Sequence, residues 1–427
     1  MQELNRLLEN VLPKGSEFEI YHLKSPSREI NGFRNQKFKR YDAVIKCSHF
    51  LAIAYNGKIF FAIDVNIYFE VMNNSMSRTF FVSKADTNGF LDDKNVKISL
   101  IVETFLYYLI KLTPACYLEK VIPHSRNYKF FNNQNIITKK TTTKNGFQIL
   151  SERCKPSNTY RAGIKDLAFK KFNLNNTKTF VTKISLFTRP EPHYLFTGSG
   201  NNSKKHLLSG ENLLKWWLRI VDSLSKNQEL FKQDENLLGT LELPGEDSGF
   251  VERRYLKQLS QHWKRGSIYG QSEDPLFEIP IFHDDPKTRF LKDLIVELKY
   301  DLFHLKDFWR ELEVRQEFRS GIVVGVIGVS GMTPLVVKNQ NPSELETLIA
   351  PSKAKYKQIK SYVVGEEYDE EEGAIDARDN LREIWLSFQK TNFSVTGKYV
   401  SEKNMVLKKP NEINVVTFRR KPKSDMR

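Results

Sequence analysis

The chain is short of cysteine, of long apolar runs and of acidic charge, and each shortage removes a class of function. Cys47, Cys116 and Cys154 are an odd, widely spaced trio in 427 residues. They support neither a disulfide framework nor a zinc site, and they fit a reducing compartment. No stretch approaches the roughly 20 apolar residues of a membrane helix. Ile98–Leu112 is broken by Glu103, and Ile322–Val329 is far too short. The N-terminus MQELNRLLENVLPK has no basic region ahead of an apolar block, so no signal peptide is expected and the protein is expected inside the cell. Phosphate loops are missing as well. Glycines 321, 325, 328 and 331 in GIVVGVIGVSG are followed by no Lys-Ser/Thr pair, and close strand packing accounts for them better. No His-Glu-x-x-His helix or other metal-ligand pattern is found, so no metal is expected, and no nucleophile elbow is found either.

What is present is a core and an uneven charge. Hydrophobic residues make up 40% of the chain, with 30 phenylalanines, enough for a large interior. The net charge of +15 is concentrated in two places. Fourteen basic residues face two acidic ones between Lys120 and Lys183, and eight face two between Lys403 and Arg427, while the rest is slightly acidic. Basic appendages on a nearly neutral body imply an acidic partner: nucleic acid, an anionic membrane surface or an acidic protein.

Periodicity predicts a short helix over 2–11, strands over 43–54 and 58–70 around the turn pair Asn56–Gly57, and a strand at Thr79–Ser83. A helix over about 97–112 and a strand at Thr179–Thr188 follow, with a long polar, mobile loop expected between 126 and 160. Ser209 is a suitable N-cap for a helix with a stripe of Leu213, Trp217, Ile220, Val221 and Leu224. One longer helix is predicted over about 287–318. The acidic run Glu366–Glu372 reads as a solvated face or turn. Strands first and mainly helices later argue for a connected α/β or α+β body.

Three segments are poorly explained by core packing. FVSKADTNG (81–89) leaves a strand and turns, placing Asp86 and Thr87 at a strand end, where ligands tend to sit. An ordinary Asx turn is the simpler account of that segment. LFTRPEPHYLF (186–196) and NNSKKHLLSGENLLKWW (201–217) gather Phe187, Tyr194, Phe196, Trp216 and Trp217 around Arg189, Lys204, Lys205 and His206. Aromatic walls with cationic ends suit a nucleotide-like ligand whose diphosphate needs Lys or Arg, and an aromatic core edge with solvated lysines is as good a reading. FHDDPKTRF (282–290) sets Asp284 and Asp285 before Pro286 and Lys287. A helix N-cap explains one aspartate; the other, with the nearby lysine, suits a buried ion pair or an acid/base site.

Together with GEEYDEEEGA (365–374), the motifs SKADTNG, LFTRP with Tyr-Leu-Phe, SKKH with KWW, and DDPK resemble the fungal histone acetyltransferase family named for regulation of Ty transposition. The resemblance spans about residues 1–400. It implies a fold related to the metazoan CREB-binding-protein acetyltransferases: α/β, a central mixed β-sheet surrounded by helices. A single acetyltransferase domain is expected over 1–402, with a mobile basic loop at about 126–176 and a basic C-terminal tail at 403–427. It further implies a nuclear enzyme that uses acetyl-coenzyme A to acetylate histone H-three, with histone H-three/H-four and nucleosome-assembly-type and anti-silencing-function chaperones as partners, in chromatin assembly and genome stability. By motif, Asp285 is the candidate acid/base residue with Asp284 beside it, and Asp86 and Trp217 match residues important for turnover. Ala85, Asp86, Thr87, Phe187, His206, Leu207, Leu208 and Trp216 match positions around acetyl-coenzyme A, and Arg189 and Tyr194 complete the wall. Lys287 resembles an internal lysine that such enzymes acetylate on themselves. Asn95 stands where the family pattern has a basic residue, with Lys94 and Lys97 close by. The alternative is a nucleic-acid-binding chromatin protein that uses the basic loop and tail on phosphates.

Overall fold

The computed structural model describes residues 4–30, 43–71, 75–123, 143, 172, 179–269, 275–283, 285–297, 304–313, 323–333 and 346–400. The basic loop falls almost wholly outside the described residues, as do the tail and Asp284.

One mixed sheet organises the chain. Its strands are β1 (Glu17–Lys24), β2 (Arg28–Ile30), β3 (Ala43–Tyr55), β4 (Lys58–Val71), β5 (Ser75–Thr87), β6 (Thr179–Thr188), β7 (Leu238–Glu242), β8 (Trp263–Arg265), β9 (Gly325–Met332), β10 (Thr347–Ile349) and β11 (Ser394–Thr396). Across the sheet the order is β10-β1-β3-β4-β5-β6-β9-β7-β8, with β11 beside β1 and β2 beside β3. The pairs β1/β10, β5/β6 and β7/β8 are parallel. The β3–β4 hairpin turns where expected, on Asn56 (φ 49°) and Gly57 (φ 77°), a pair that tolerates the left-handed backbone of a two-residue turn.

Alternation along β3 divides the core. Leu51 and Ile53 join the main cluster with α1 (Leu4–Glu9), α2 (Ile98–Lys111) and α3 (Gly210–Lys226), whereas Phe50, Ala52 and Ala54 belong to a second cluster. Helices α4 (Pro286–Val296) and α5 (Leu305–Glu313) share a small core of their own. The second cluster is closed by Tyr356 and Ile359 of α6 (Lys353–Val364) and Leu381 and Trp385 of α7 (Glu371–Ser387). No helix among the described residues is long and apolar enough to cross a membrane.

Two expectations need correction. The single helix over 287–318 is two helices. Phe290 of α4 stacks on Phe308 of α5 with centroids 5.0 Å apart, whereas 18 residues of one straight helix would separate them by about 27 Å. Both helices bury one shared cluster. The strand expected at Thr79–Ser83 runs on to Thr87, so Asp86 and Thr87 are still paired, opposite Ala62 and Phe61. The turn belongs to Asn88, whose Oδ1 accepts from Phe90 N at 3.1 Å and whose Nδ2 donates to Ile59 O at 2.7 Å.

The β9 glycines do serve packing. A Cβ on Gly325 would meet Leu214 Cδ1 at 2.7 Å, and one on Gly328 would meet Ile268 Cγ1 at 2.8 Å.

Candidate active site

Because β5 and β6 are parallel, their carboxyl ends open to the same side, and a cavity of about 620 Å3 lies there. Such strand ends are favoured ligand positions in α/β sheets, and the volume is that of a cofactor site. Ala85, Asp86 and Thr87 come from the end of β5, Phe187 from β6 and Arg189 from just beyond it. Tyr194, Lys205, His206, Leu207 and Leu208 line it from the loop that leads to α3.

Ser209 caps α3 as expected, its Oγ accepting from Asn212 N, so that the first turns of the helix face the cavity. Trp216 and Trp217 both line it, their rings edge to face at 4.9 Å. Leu213, assigned to the buried stripe from sequence, packs against the core only in part and also lines the cavity, while Leu214 is fully buried beside it.

Asp86 is a knot. Its carboxylate accepts from Thr87 N at 2.8 Å and from Leu195 N at 3.0 Å, and it pairs with Lys205 Nζ at 2.9 Å. Lys205 also donates to Pro192 O (2.7 Å) and Ser199 Oγ (2.9 Å), so one ion pair ties the end of β5 to the whole loop 190–205. Burial pushes the Asp86 carboxyl up, and Lys205 and the two N–H donors pull it back. Lys204 stands outside the lining, with its Nζ 3.4 Å from Glu371 in the acidic run, which is itself the approach to α7.

The DDPK segment lies behind one wall. Asp285 caps α4, accepting from Lys287 N at 3.1 Å, with Pro286 at the first helical position. Both its oxygens also accept from Lys287 Nζ, at 2.8 and 2.7 Å, with the two side chains fully enclosed. The N-cap and the buried ion pair are therefore the same structure. Lys287 Nζ lies 5.7 Å from the centre of the Phe187 ring, which faces the cavity. The structure thus brings the second segment and Asp86 together around one cavity, with Asp285 and Lys287 one ring away.

Several lining residues were missed from sequence. Val82, Ser83 and Lys84 precede the recognised turn on β5, and Ile98 opens α2. Three consecutive residues cannot share one face by period-two alternation, and the β4–β5 register shifts across Ser83, so neither this group nor Ile98 carries a signal of its own. Tyr194 also donates to Ser83 O at 3.2 Å, closing the loop over β5.

The sequence matches the histone acetyltransferase KAT11-type domain over residues 4–384. The chain belongs to the KAT11-type histone acetyltransferases. It is a lysine acetyltransferase of the Rtt109 type. Histone acetyltransferase RTT109 of Candida albicans (strain SC5314 / ATCC MYA-2876) is 29% identical over 286 residues, which cover 66% of this chain and 74% of that protein. Histone acetyltransferase rtt109 of Aspergillus flavus is 26% identical over 373 residues, covering 76% of this chain and 55% of the relative. The crystal structure of Rtt109 from Aspergillus fumigatus shares the fold, with a TM-score of 0.66 at 21% identity over 93% of this chain and 100% of that one.

A KAT11-type enzyme takes acetyl-coenzyme A as co-substrate, and the cavity suits such a molecule. Its walls are largely apolar and aromatic, and Arg189 Nε is buried there with no hydrogen-bond acceptor among the described residues. A long thioester arm needs the first feature, and a diphosphate needs a cation like the second.

Proposed function

We propose that this enzyme transfers acetyl from acetyl-coenzyme A to a lysine of histone H-three presented by histone chaperones, and that it works in the nucleus during chromatin assembly. The observation that carries the reading is the cavity at the β5/β6 ends with Asp285 and Lys287 behind its Phe187 wall.

Arg189 faces the phosphates, and Tyr194, Leu207, Leu208 and Trp216 hold the arm. The thioester supplies an already activated acetyl group, so no covalent enzyme intermediate is required. The acceptor lysine must lose a proton first. Its ordinary pKa of about 10.4 makes the free amine cost about 4–5 kcal/mol at pH 7. An acid near the acceptor, with Asp284 and Asp285 the candidates, attracts the ammonium and takes or steers its proton. The amine nitrogen then attacks the carbonyl carbon, the C–S bond breaks, and the sulfur leaves as the thiol.

Lys287 is the internal acceptor. Its ammonium already sits on a carboxylate, and acetylation removes a charge that burial makes expensive. Asp86 and Lys205 hold the loop that forms the opposite wall rather than taking the proton.

Incubation with radiolabelled acetyl-coenzyme A and histone H-three/H-four, with and without a chaperone, tests the whole reading. Label is expected on histone and, by mass spectrometry, on Lys287. DNA retention without acetyl-coenzyme A affinity would favour the nucleic-acid reading of the basic segments.

A further inference from the structure

Further along α3 from the cofactor cavity, the segment Glu252–Arg265 encloses a second concavity of about 610 Å3. Its floor is apolar, made by Leu256, Leu259 and Trp263. Its rim carries Arg253, Lys257, Lys264 and Arg265 against one acid, Glu252. Arg265 has Glu242 at 3.8 Å, but Arg253, Lys257 and Lys264 meet no carboxylate among the described residues. Four like charges around one groove repel one another, and an anionic occupant relieves that repulsion.

The groove is built rather than incidental. Asp222 of α3 accepts from Trp263 Nε1 at 2.8 Å, from Ser260 Oγ at 2.7 Å and from Ser260 N at 3.2 Å, which fixes the floor to the core. Residues Glu252–Leu256 form a π-helical turn, a wide turn that recurs at functional sites. Strand β8 ends the main path of the sheet, and among the described residues no strand lies beyond it. Its Trp263 N–H is already taken by Ser260 O at 3.2 Å, so an added strand would pair from Arg265 outward.

We propose that this groove docks an acidic, partly apolar extended peptide of a partner protein. Acidic side chains meet the rim, apolar ones reach the floor, and the backbone runs along β8. A nucleic acid fits less well. Trp263 is only 6% exposed, so the floor offers a base no open aromatic face to stack on, and the apolar contacts left to an occupant are chiefly those of Leu256 and Leu259.

A fluorescein-labelled ten-residue peptide alternating Glu and Leu, also carrying a benzophenone crosslinker, tests this on the full chain at about 150 mM salt. Anisotropy should show binding that Lys257→Glu/Lys264→Glu weakens by about tenfold or more and Lys257→Gln/Lys264→Gln by several-fold. Acetylation of free histone by both variants should stay at the parental rate, since neither lysine touches the cofactor cavity. Crosslinks should map to residues 252–265. Affinity unchanged within about twofold, or crosslinks confined to 120–183 and 403–427, would place acidic binding on the other basic segments and overturn the proposal. Displacement of the peptide by a ten-nucleotide single strand crosslinking at 252–265 would overturn it in favour of nucleic acid.

Discussion

Two aspartate–lysine pairs flank one cavity, and they are built in opposite ways. Asp86 and Lys205 are 119 residues apart in the chain and retain some exposure, with 10% and 3% of their side chains accessible. Their pairing closes a loop onto a strand and gathers two backbone N–H groups, a carbonyl and a hydroxyl into one knot. Asp285 and Lys287 are two residues apart and wholly enclosed. Their pairing joins nothing that the helix cap has not already joined. Removing two charges from water is costly, and a local pair gains no architecture in return. A costly group that the fold does not need is a candidate for chemistry, whereas the long-range pair is a part of the scaffold.

The largest expected effect separates the two directly. Asp86→Ala leaves the Lys205 ammonium nearly buried without its counter-charge and should lower stability by about 3–5 kcal/mol. Urea unfolding measures the loss, and adding Lys205→Met should return part of it. A parental unfolding midpoint for Asp86→Ala would mean that the knot ties nothing.

An uncharged polar pair on the α2 side of the sheet supplies the next contrast. His22 Nε2 lies 2.9 Å from His49 Nδ1, and His22 Nδ1 lies 2.9 Å from Thr347 Oγ1. Burial, with Lys24 nearby, holds His22 down at about 3, and burial, with His22 and Lys24, holds His49 well below its ordinary value. Both folded values are depressed, so below pH 6.5 the unfolded chain binds protons that the native one refuses. The stability these residues contribute is present above about pH 6.5 and lost as pH falls, by about 1 kcal/mol per histidine between pH 6.5 and 5.5. Denaturant titrations at the two pH values, on the parent and on His22→Gln/His49→Gln, read this; equal pH dependence in both proteins would assign the loss elsewhere.

Asp285→Asn should act on rate as well as on stability. Asparagine can still accept from Lys287 N and cap α4, but it leaves the wholly enclosed Lys287 ammonium without its counter-charge, so the unfolding midpoint should fall too and the rate is compared per folded enzyme. Histone acetylation should fall at least about tenfold, near 1.4 kcal/mol of barrier, and self-acetylation of Lys287 should fall with it. A full rate in this variant would return Asp285 to a purely capping role.

The smallest effect belongs to Lys204, whose partner Glu371 is an exposed acid. Lys204→Ala should leave acetyl-coenzyme A affinity within about twofold, because exposed ion pairs contribute little and the residue lies off the cavity wall. Arg189→Ala should weaken the same affinity several-fold. Equilibrium dialysis compares the two, and a larger loss at Lys204 would reverse the assignment of the phosphate end.

The same contrast explains what could be read in advance. The β3–β4 turn was legible because Asn56 and Gly57 carry a local conformational signal, and the start of α3 because Ser209 is a cap by residue type. Capping and pairing within DDPK were legible because they lie within three residues, but the motif suggested one aspartate for each, whereas Asp285 takes both. The role of Lys205 was not. Adjacent lysines look alike in sequence, and only a contact across more than a hundred residues distinguishes the one that faces Asp86. The break between α4 and α5 was hidden for a similar reason, since an apolar stripe continues whether the chain runs on or folds back. The His22–His49 pair gave no motif because its 27-residue spacing is set by strand register.

One edge of β1 is closed in two halves by strands from the far end of the chain. His22–Lys24 pair with β10 and Glu17–Glu19 with β11. The meander β3–β4–β5 can assemble as soon as it is synthesised, since each strand meets the next along the chain. The outer edge of β1 must wait until residue 396 has left the ribosome. Throughout that interval the nascent chain carries a bare, apolar strand edge, the kind of surface on which unfinished chains stick to one another. Truncation a few residues before Ser394 would leave the Glu17–Glu19 half of that edge bare for good, so the yield of soluble protein depends on its last described strand as well as on its first.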